Sequence, residues 1–88
     1  MEIEFDPIKD AINRAKHGVS LAEAERFEWN SAVLWLDTRQ EYGEERMSAL
    51  GYIENRLFFM AFVDRGDVCR VISLRHANAR EVKHYAEA

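Results

Sequence analysis

The sequence predicts a small α+β domain in which helices at the two ends of the chain flank an antiparallel sheet. Three observations support this class. Helix signals are confined to residues 7–27 and 78–88, whereas residues 32–75 contain short apolar runs separated by turn residues. No repeat, linker or low-complexity stretch divides the chain, so we expect a single domain spanning residues 1–88.

Two N-terminal helices are predicted from their caps and their spacing. Asp6 is a good N-cap, Pro7 suits the first helical position, and Gly18 can take the left-handed C-cap of a helix over residues 7–17. The apolar residues of this segment recur at helical spacing: Ile8, Ala11, Ile12 and Ala15. The sequence Ser20-Leu21-Ala22-Glu23 has the pattern of a capping box and predicts a second helix that runs to about Phe27.

Four strands in an antiparallel meander are predicted downstream of these helices. Their ranges are residues 32–36, 46–53, 56–63 and 68–75. Glu54-Asn55 and Asp64–Asp67 are expected to form hairpin turns, and the polar stretch 39–45 is expected to be a loop. Residues 3–5 are expected to be only a short extended segment. Asn78 and Glu81 predict a capping box at the start of a C-terminal helix.

Composition excludes several classes of protein. The chain is 48% hydrophobic and 32% charged, which is typical of a globular protein rather than a disordered one. Its longest uncharged run, Trp29–Leu36, is far shorter than the about 20 residues of a membrane-spanning helix. One cysteine cannot form an internal disulfide, and no ligand spacing suggests a metal or another cofactor. The first residues lack the features of a secretory signal, so we expect a cytoplasmic protein without membrane contact.

The charge distribution is more informative than the net charge. The net charge of −4 argues against nucleic-acid binding when it is taken alone. Residues 69–88, however, carry four Lys or Arg against two Glu, and they also contain His76 and His84. A local basic patch on an acidic body can still bind phosphates, although binding is weak and sensitive to salt.

Several residues of the chain are candidates for binding a phosphate. Arg75 ends the last predicted strand and Arg80 lies in the first turn of the following helix, so both could project toward one edge of the sheet. Arg70 and Arg75 have opposite parity on a strand, and they can line one site only if a bulge intervenes. His17 and Glu81 have structural explanations, in the helix C-terminus and in the capping box, that compete with roles in catalysis.

Two separated motifs of the chain resemble those of the BrnT family of toxin ribonucleases. The first runs from Ile3-Glu4-Phe5-Asp6-Pro7 through Lys9, Asn13 and Lys16-His17-Gly18-Val19-Ser20 to Glu23-Ala24. The second comprises Glu45-Arg46, Gly51, Arg56-Leu57, Val63, Arg65-Gly66-Asp67, Arg70–Arg75, Ala77, Arg80-Glu81 and Tyr85. The resemblance implies a RelE-like fold and a metal-independent ribonuclease acting as the toxin of a type II toxin–antitoxin pair. It also implies a BrnA-like antitoxin with a ribbon-helix-helix DNA-binding part. The complex would contact DNA only through this antitoxin.

Cleavage of RNA without a metal would proceed by attack of a ribose 2′-OH on the neighbouring phosphate, which requires a base, an acid and cations. Arginine suits the cationic role because its planar fork binds phosphate oxygens. The candidates for catalysis are Arg75 and Arg80 as phosphate stabilisers, His17 or Glu81 as the base, and His17 or Tyr85 as the acid. The candidates for substrate binding are Lys16, Arg46, Arg70 and Lys83. This hypothesis requires Arg75 and Arg80 to share one exposed patch, free of internal ion pairs.

Two other functions are compatible with the sequence. One is a catalytically inactive module of the same fold that pairs with a DNA-binding partner and modulates repression, which the acidic composition favours slightly. The other is direct DNA binding, which is the weakest candidate because the final helix contains only Arg80 and Lys83 as basic residues apart from histidine.

Overall fold

The structure, a computed structural model, describes residues 2–39 and 43–88. It confirms the α+β class: one sheet has the strand order β1-β5-β4-β3-β2 and two helices flank it. The elements are β1 Glu2–Glu4, α1 Pro7–His17, β2 Val33–Asp37, β3 Arg46–Ile53, β4 Arg56–Arg65, β5 Val68–His76 and α2 Ala79–Glu87. Two 3-10 helices, Leu21–Arg26 and Trp29–Ser31, lie between α1 and β2.

The prediction of a four-stranded, purely antiparallel sheet is wrong. The sheet has five strands, because the N-terminal segment forms β1 and pairs parallel to β5, with Ile3 opposite Cys69. Residues 2–4 are too few to show a strand period, and their partner lies more than 60 residues away in the sequence. The remaining pairs, β2–β3, β3–β4 and β4–β5, are antiparallel as predicted. Within the predicted loop 39–45, residues 40–42 lie outside the described part of the chain.

The second predicted N-terminal helix is present, but it differs in type from an α-helix. Leu21–Arg26 is a 3-10 helix, which is held by hydrogen bonds such as that from the Glu23 N–H to the Ser20 carbonyl. The Ser20 hydroxyl accepts from the N–H of Ala22 rather than from that of Glu23, and the Glu23 carboxylate pairs with Arg26. The reciprocal bonds of a capping box are therefore replaced by other contacts of the same two side chains.

The main core lies between the sheet and the segment that follows α1, which contains the first 3-10 helix. Its buried members come from that segment and from β3, β4 and β5: Val19, Leu21, Ala24, Phe27, Ala49, Ile53, Phe58, Met60, Phe62, Cys69, Val71 and Leu74. Phe27 lies directly on β3 at Gly51, where any Cβ atom would overlap the phenyl ring. The glycine of the second motif is thus explained by close packing rather than by a turn.

The second face of the sheet has a smaller apolar cluster and a less complete cover. Leu50, Phe59 and Ala61 form its buried centre. Helix α2 covers this face, where Tyr85 of the helix and Ala77, just before it, pack against the cluster. No residue of α2 itself is buried. Its predicted capping box is confirmed, since the Asn78 side chain accepts from the N–H of Glu81 and the Glu81 carboxylate accepts from the N–H of Asn78.

A β-bulge in β5 decides which arginines share a face. The register pairs Val63 with Arg70 and Phe59 with Arg75, with a shift between Ala61 and Phe62. Because directly paired residues of neighbouring strands project to the same side, Arg70 and Arg75 both lie on the second face. The bulge that the sequence argument required is therefore present.

Candidate functional site

Helix α1 is attached to β5 by a buried asparagine side chain. Strand β1 pairs with β5 only as far as Arg70, so the backbone of β5 beyond that residue has no neighbouring strand on this side. Asn13 replaces it: its amide donates to the Leu74 carbonyl at 2.7 Å, and its carbonyl oxygen accepts from the Leu74 N–H at 3.2 Å. The same amide donates to the Val19 carbonyl at 2.8 Å. These bonds fix the last turn of α1 beside the end of β5.

A groove of about 230 Å³ lies between α1 and β5, and we call it the α1 groove. It is lined by Lys9, Ile12, Asn13, Lys16, His17, Ile72 and Ser73. None of these residues has a carboxylate, whereas two are lysines and one is a histidine. The groove is therefore a locally positive surface on a chain whose net charge is −4.

His17 lies in this groove in an environment that disfavours its protonated form. Partial burial, followed by the positive charges of Arg75 and Lys16, lowers the pKa of His17 from its ordinary value of 6.5. The imidazole is consequently neutral near pH 7 and can accept a proton. Of the predicted site residues, Lys16 and His17 line this groove together, whereas Arg75 does not line it but is close enough for its charge to act on His17.

Arg75 is engaged in an internal ion pair. Its Nη1 and Nη2 atoms donate to the two carboxylate oxygens of Glu81 at 2.8 and 2.9 Å, and Nη1 also donates to the His76 carbonyl at 3.3 Å. The guanidinium lies over the ring of Phe59, 4.4 Å from its centroid. The sequence-based hypothesis requires Arg75 to be free of internal ion pairs, and this condition is not met. A guanidinium has five N–H donors, and among the described residues the Nε–H and the second N–H of Nη2 have no partner.

Glu81 is held by its neighbours as a carboxylate. Burial alone would raise the pKa of Glu81, but the hydrogen bonds from Arg75 and from the Asn78 N–H, together with the charge of Arg75, lower it overall. Both carboxylate oxygens already accept hydrogen bonds. This arrangement suits a group that orients Arg75 better than a group that accepts a proton from substrate.

A second groove, of about 260 Å³, lies on the second face of the sheet, and we call it the sheet groove. Its lining residues are Trp35, Leu36, Asp37, Thr38, Arg39, Ser48, Phe59, Arg75 and Glu81. Within this groove, the two carboxylate oxygens of Asp37 accept from Nε and Nη2 of Arg39 at 2.9 Å each. The sheet groove therefore has charges of both signs, unlike the α1 groove.

The other predicted site residues lie outside these two grooves. Arg70 pairs with Glu4 at 3.2 Å, and Arg46 begins β3 opposite Asp37. Lys83 and Arg80 are exposed on α2. Arg80 makes no ion pair with a residue in the described ranges, and it adjoins Glu81, so the two side chains diverge by about 100° around the helix. The structure therefore does not bring Arg80 together with Arg75.

Tyr85 has a structural position on α2. Its hydroxyl donates to the Ser31 carbonyl at 2.9 Å, and its ring meets that of Tyr52 edge to face at 5.5 Å. This residue attaches α2 to the sheet and to the second 3-10 helix, so its hydroxyl is already engaged.

Sequence reasoning named as site residues only Lys16 and His17 among the seven residues that line the α1 groove, and Lys9 and Ser73 are among the five that it missed. Lys9 precedes Lys16 by seven residues, which is two helical turns, and this spacing places both lysines on one side of α1. That signal was present in the sequence. Ser73 lies in the groove because of the β5 bulge and the position of α1, and no local pattern indicates either.

Within residues 2–39 and 43–88, no group of three or more His, Cys, Asp or Glu side chains could hold a metal ion. In the same ranges, no helix combines the length and the apolar character needed to cross a membrane.

The fold and the α1 groove define a small α+β protein whose candidate site is an open, positively charged surface rather than an enclosed cavity. A family model described as the ribonuclease toxin, BrnT, of type II toxin–antitoxin systems matches residues 5–81. The chain therefore belongs to the BrnT family of ribonuclease toxins. No curated protein matches the chain in a sequence comparison. Membership of the family implies an antitoxin partner.

Proposed function

We propose that this chain is an endoribonuclease toxin that cleaves RNA without a metal ion, by attack of a ribose 2′-OH on the adjacent phosphate. The observation that supports this proposal is the α1 groove, whose lining contains Lys9, Lys16 and a neutral His17 but no carboxylate. Arg75 lines the neighbouring sheet groove, and its charge acts on His17. An open groove of this kind suits a polyanion that crosses the surface.

Each residue of the site has a separate role in the proposed reaction. Neutral His17 takes the proton of the attacking 2′-OH, the 2′-oxygen bonds to phosphorus as the bond from phosphorus to the 5′-oxygen breaks, and the departing 5′-oxygen takes a proton from solvent water. The Nε and Nη2 edge of Arg75 stabilises the charge that develops on the phosphate, while Glu81 keeps the guanidinium in place by occupying its other edge. Lys9 and Lys16 bind the neighbouring phosphates.

The remaining basic candidates are assigned to the flanking backbone of the RNA. Arg46 and Arg70 share the second face of the sheet with Arg75, and Arg80 and Lys83 are exposed on α2. Their contribution is expected to be small and sensitive to salt, because exposed charges are screened.

The partner that neutralises the toxin is proposed to be a BrnA-like antitoxin with a ribbon-helix-helix DNA-binding part. The chain itself is acidic overall, with a net charge of −4, which disfavours direct contact with operator DNA. DNA would be contacted only through the antitoxin.

The first test is cleavage of RNA by the purified chain in the presence of excess chelator. We expect cleavage to persist and to leave 2′,3′-cyclic phosphate ends, because the 2′-oxygen is the nucleophile. The matched control is the same RNA with a 2′-deoxyribose at the cleaved position, which should remain intact. Loss of cleavage on chelation would contradict the metal-free reaction. A chain that neither cleaves RNA nor arrests growth, yet binds its antitoxin, would be the inactive binding module instead.

A second test uses the pH dependence of kcat/KM. Because the pKa of His17 lies below 6.5, its neutral form predominates at pH 7, and the proposed base is lost as the pH falls through that pKa. We therefore expect an acid limb with a midpoint below pH 6.5 in the wild type. His17→Gln should lower kcat/KM and remove that limb, whereas His84→Gln should leave the limb in place. An acid limb that is unchanged in His17→Gln would exclude His17 as the base.

A further inference from the structure

Helix α1 turns its apolar stripe away from the protein. The only buried residue of the helix is Asn13, whereas Ile8 is 71% exposed and Ile12 is 57% exposed. Ala11 and Ala15, which complete the stripe, are exposed as well. At about 100° per residue, Asn13 and His17 point toward β5 and the stripe points in the opposite direction.

This orientation is the reverse of what an amphipathic helix ordinarily shows. Such helices bury their apolar stripe against the core, and contiguous exposed apolar surface is typical of a site for another protein. Here the attachment of the helix is polar, through the hydrogen bonds of Asn13 to Leu74 and Val19. The stripe is therefore not needed to hold α1 in place, and it remains available for a partner.

The stripe is continuous with the α1 groove. Ile12 belongs to both, and Lys9 and Lys16 lie on the flank of the helix between the stripe and the body of the protein. The carboxylates of the helix do not neutralise these lysines. Asp6 accepts from the N–H of Ile8, and Asp10 accepts from the N–H of Leu21 and pairs with Arg14 at 3.5 Å. The whole surface thus combines exposed isoleucines with positive charge.

We propose that this surface is where the antitoxin docks, through an amphipathic helix whose apolar side chains cover Ile8 and Ile12 and whose Asp or Glu side chains pair with Lys9 and Lys16. The inference rests on the proposed function, since the same two lysines are assigned to RNA. Binding of an apolar helical face is a common mode of recognition, and carboxylates complement the lysines. The antitoxin and RNA would then exclude one another, which explains how binding neutralises the toxin.

Two other occupants of this surface fit it less well. A second copy of the chain packed stripe to stripe would bring the lysines of the two copies together, which is unfavourable for like charges. RNA would use the lysines, but it has no apolar segment that would cover Ile8, the most exposed large apolar residue among those described.

The test compares two double variants. The α1 variant is Ile8→Glu/Ala11→Glu. Its matched control, the α2 variant, is Val82→Glu/Ala86→Glu, which makes the same kind of change on the exposed surface of α2, where Val82 is 49% exposed. The probe is the purified product of the reading frame adjacent to that of this chain, and its affinity is measured by calorimetry. We expect the α1 variant to bind at least about 100-fold more weakly, because two glutamates would face the carboxylates and apolar side chains of the partner. The α2 variant should bind as the wild type does. Urea unfolding should be unchanged in both, since all four side chains are exposed.

Cleavage by the free proteins separates this inference from the proposed function. Neither Ile8 nor Ala11 lines the α1 groove, so the α1 variant should still cleave RNA and should resist inhibition by the antitoxin. If no protein cleaves RNA while the loss of binding is confined to the α1 variant, the proposed function fails and the docking surface stands. Unchanged affinity of the α1 variant would overturn the docking surface. Loss of binding in Leu34→Glu, on the edge strand β2, without loss in the α1 variant would also overturn it. So would the finding that the wild type is a dimer and that the α1 variant dissociates this dimer.

Discussion

Replacing Arg75 with alanine is expected to slow cleavage of RNA by at least about 100-fold. In the proposed reaction, the Nε and Nη2 edge of this residue faces the phosphate while Glu81 holds the other edge. Removing one preorganised donor from a developing negative charge typically costs about 3 kcal/mol of the barrier, which corresponds to a factor of 100 or more. The measurement is single-turnover cleavage of RNA at saturating protein, which separates the chemical step from binding.

Two companion variants separate the chemistry of Arg75 from its structural contacts. Arg75→Lys keeps the charge without the planar fork, so cleavage should be intermediate. Glu81→Gln keeps a capping side chain but loses the ion pair, so α2 should persist and Arg75 should be less well positioned. Far-UV circular dichroism and urea unfolding report whether each variant is folded. A folded Arg75→Ala protein that cleaves at the wild-type rate would remove Arg75 from the site.

Three features encoded by a few neighbouring residues were predictable from the sequence, although the equally local capping box expected at Ser20 and Glu23 is not formed. The Asp6 side chain caps α1 by accepting from the N–H of Ile8, and Gly18 ends the helix with a φ of +72°. The Asn78 and Glu81 capping box is likewise present. Each depends on residues within four positions of one another, so the pattern of the chain contains all the information.

Features that depend on distant parts of the chain were not predictable in the same way. Strand β1 is three residues long and exists because β5 is beside it. The apolar spacing of α1 indicated a helix correctly, but it could not reveal that Asn13, rather than the stripe of Ile8 and Ile12, faces the sheet. A buried amide that completes the edge of a sheet is a tertiary contact, and it overrides the usual orientation of an amphipathic helix.

In the candidate site too, local features were predictable from the sequence and features that depend on tertiary contacts were not. That Arg70 and Arg75 could share a face only through a bulge was clear from their parity, but the bulge itself depends on how β5 pairs with β4. The ion pair of Arg75 with Glu81 joins the end of a strand to the first turn of α2, six residues on. Sequence reasoning placed both residues correctly on their elements, and it treated them as separate candidates rather than as partners.

The contact of Asn13 with β5 leads to the second large prediction, which concerns stability. Asn13→Ala is expected to lower the free energy of unfolding by about 3 kcal/mol or more. The substitution removes the hydrogen-bond partner of the Leu74 N–H, of the Leu74 carbonyl and of the Val19 carbonyl. These three groups surround the Asn13 side chain, and Asn13 is only 5% exposed. Each buried polar group left without a partner costs about 1–3 kcal/mol, against a total stability of roughly 5–15 kcal/mol for an ordinary domain. The measurement is the urea midpoint with its slope.

Asn30→Ala is the matched control for this prediction, because Asn30 is exposed in the second 3-10 helix and its replacement should leave the urea midpoint almost unchanged. An equal midpoint for Asn13→Ala and the wild type would show that the amide does not hold α1 against β5. If the amide does hold it, the effect extends to the site, because Lys16 and His17 follow Asn13 within one helical turn. The variant should then lose RNA cleavage even at temperatures where it remains folded, since the α1 groove depends on the position that Asn13 gives to the helix.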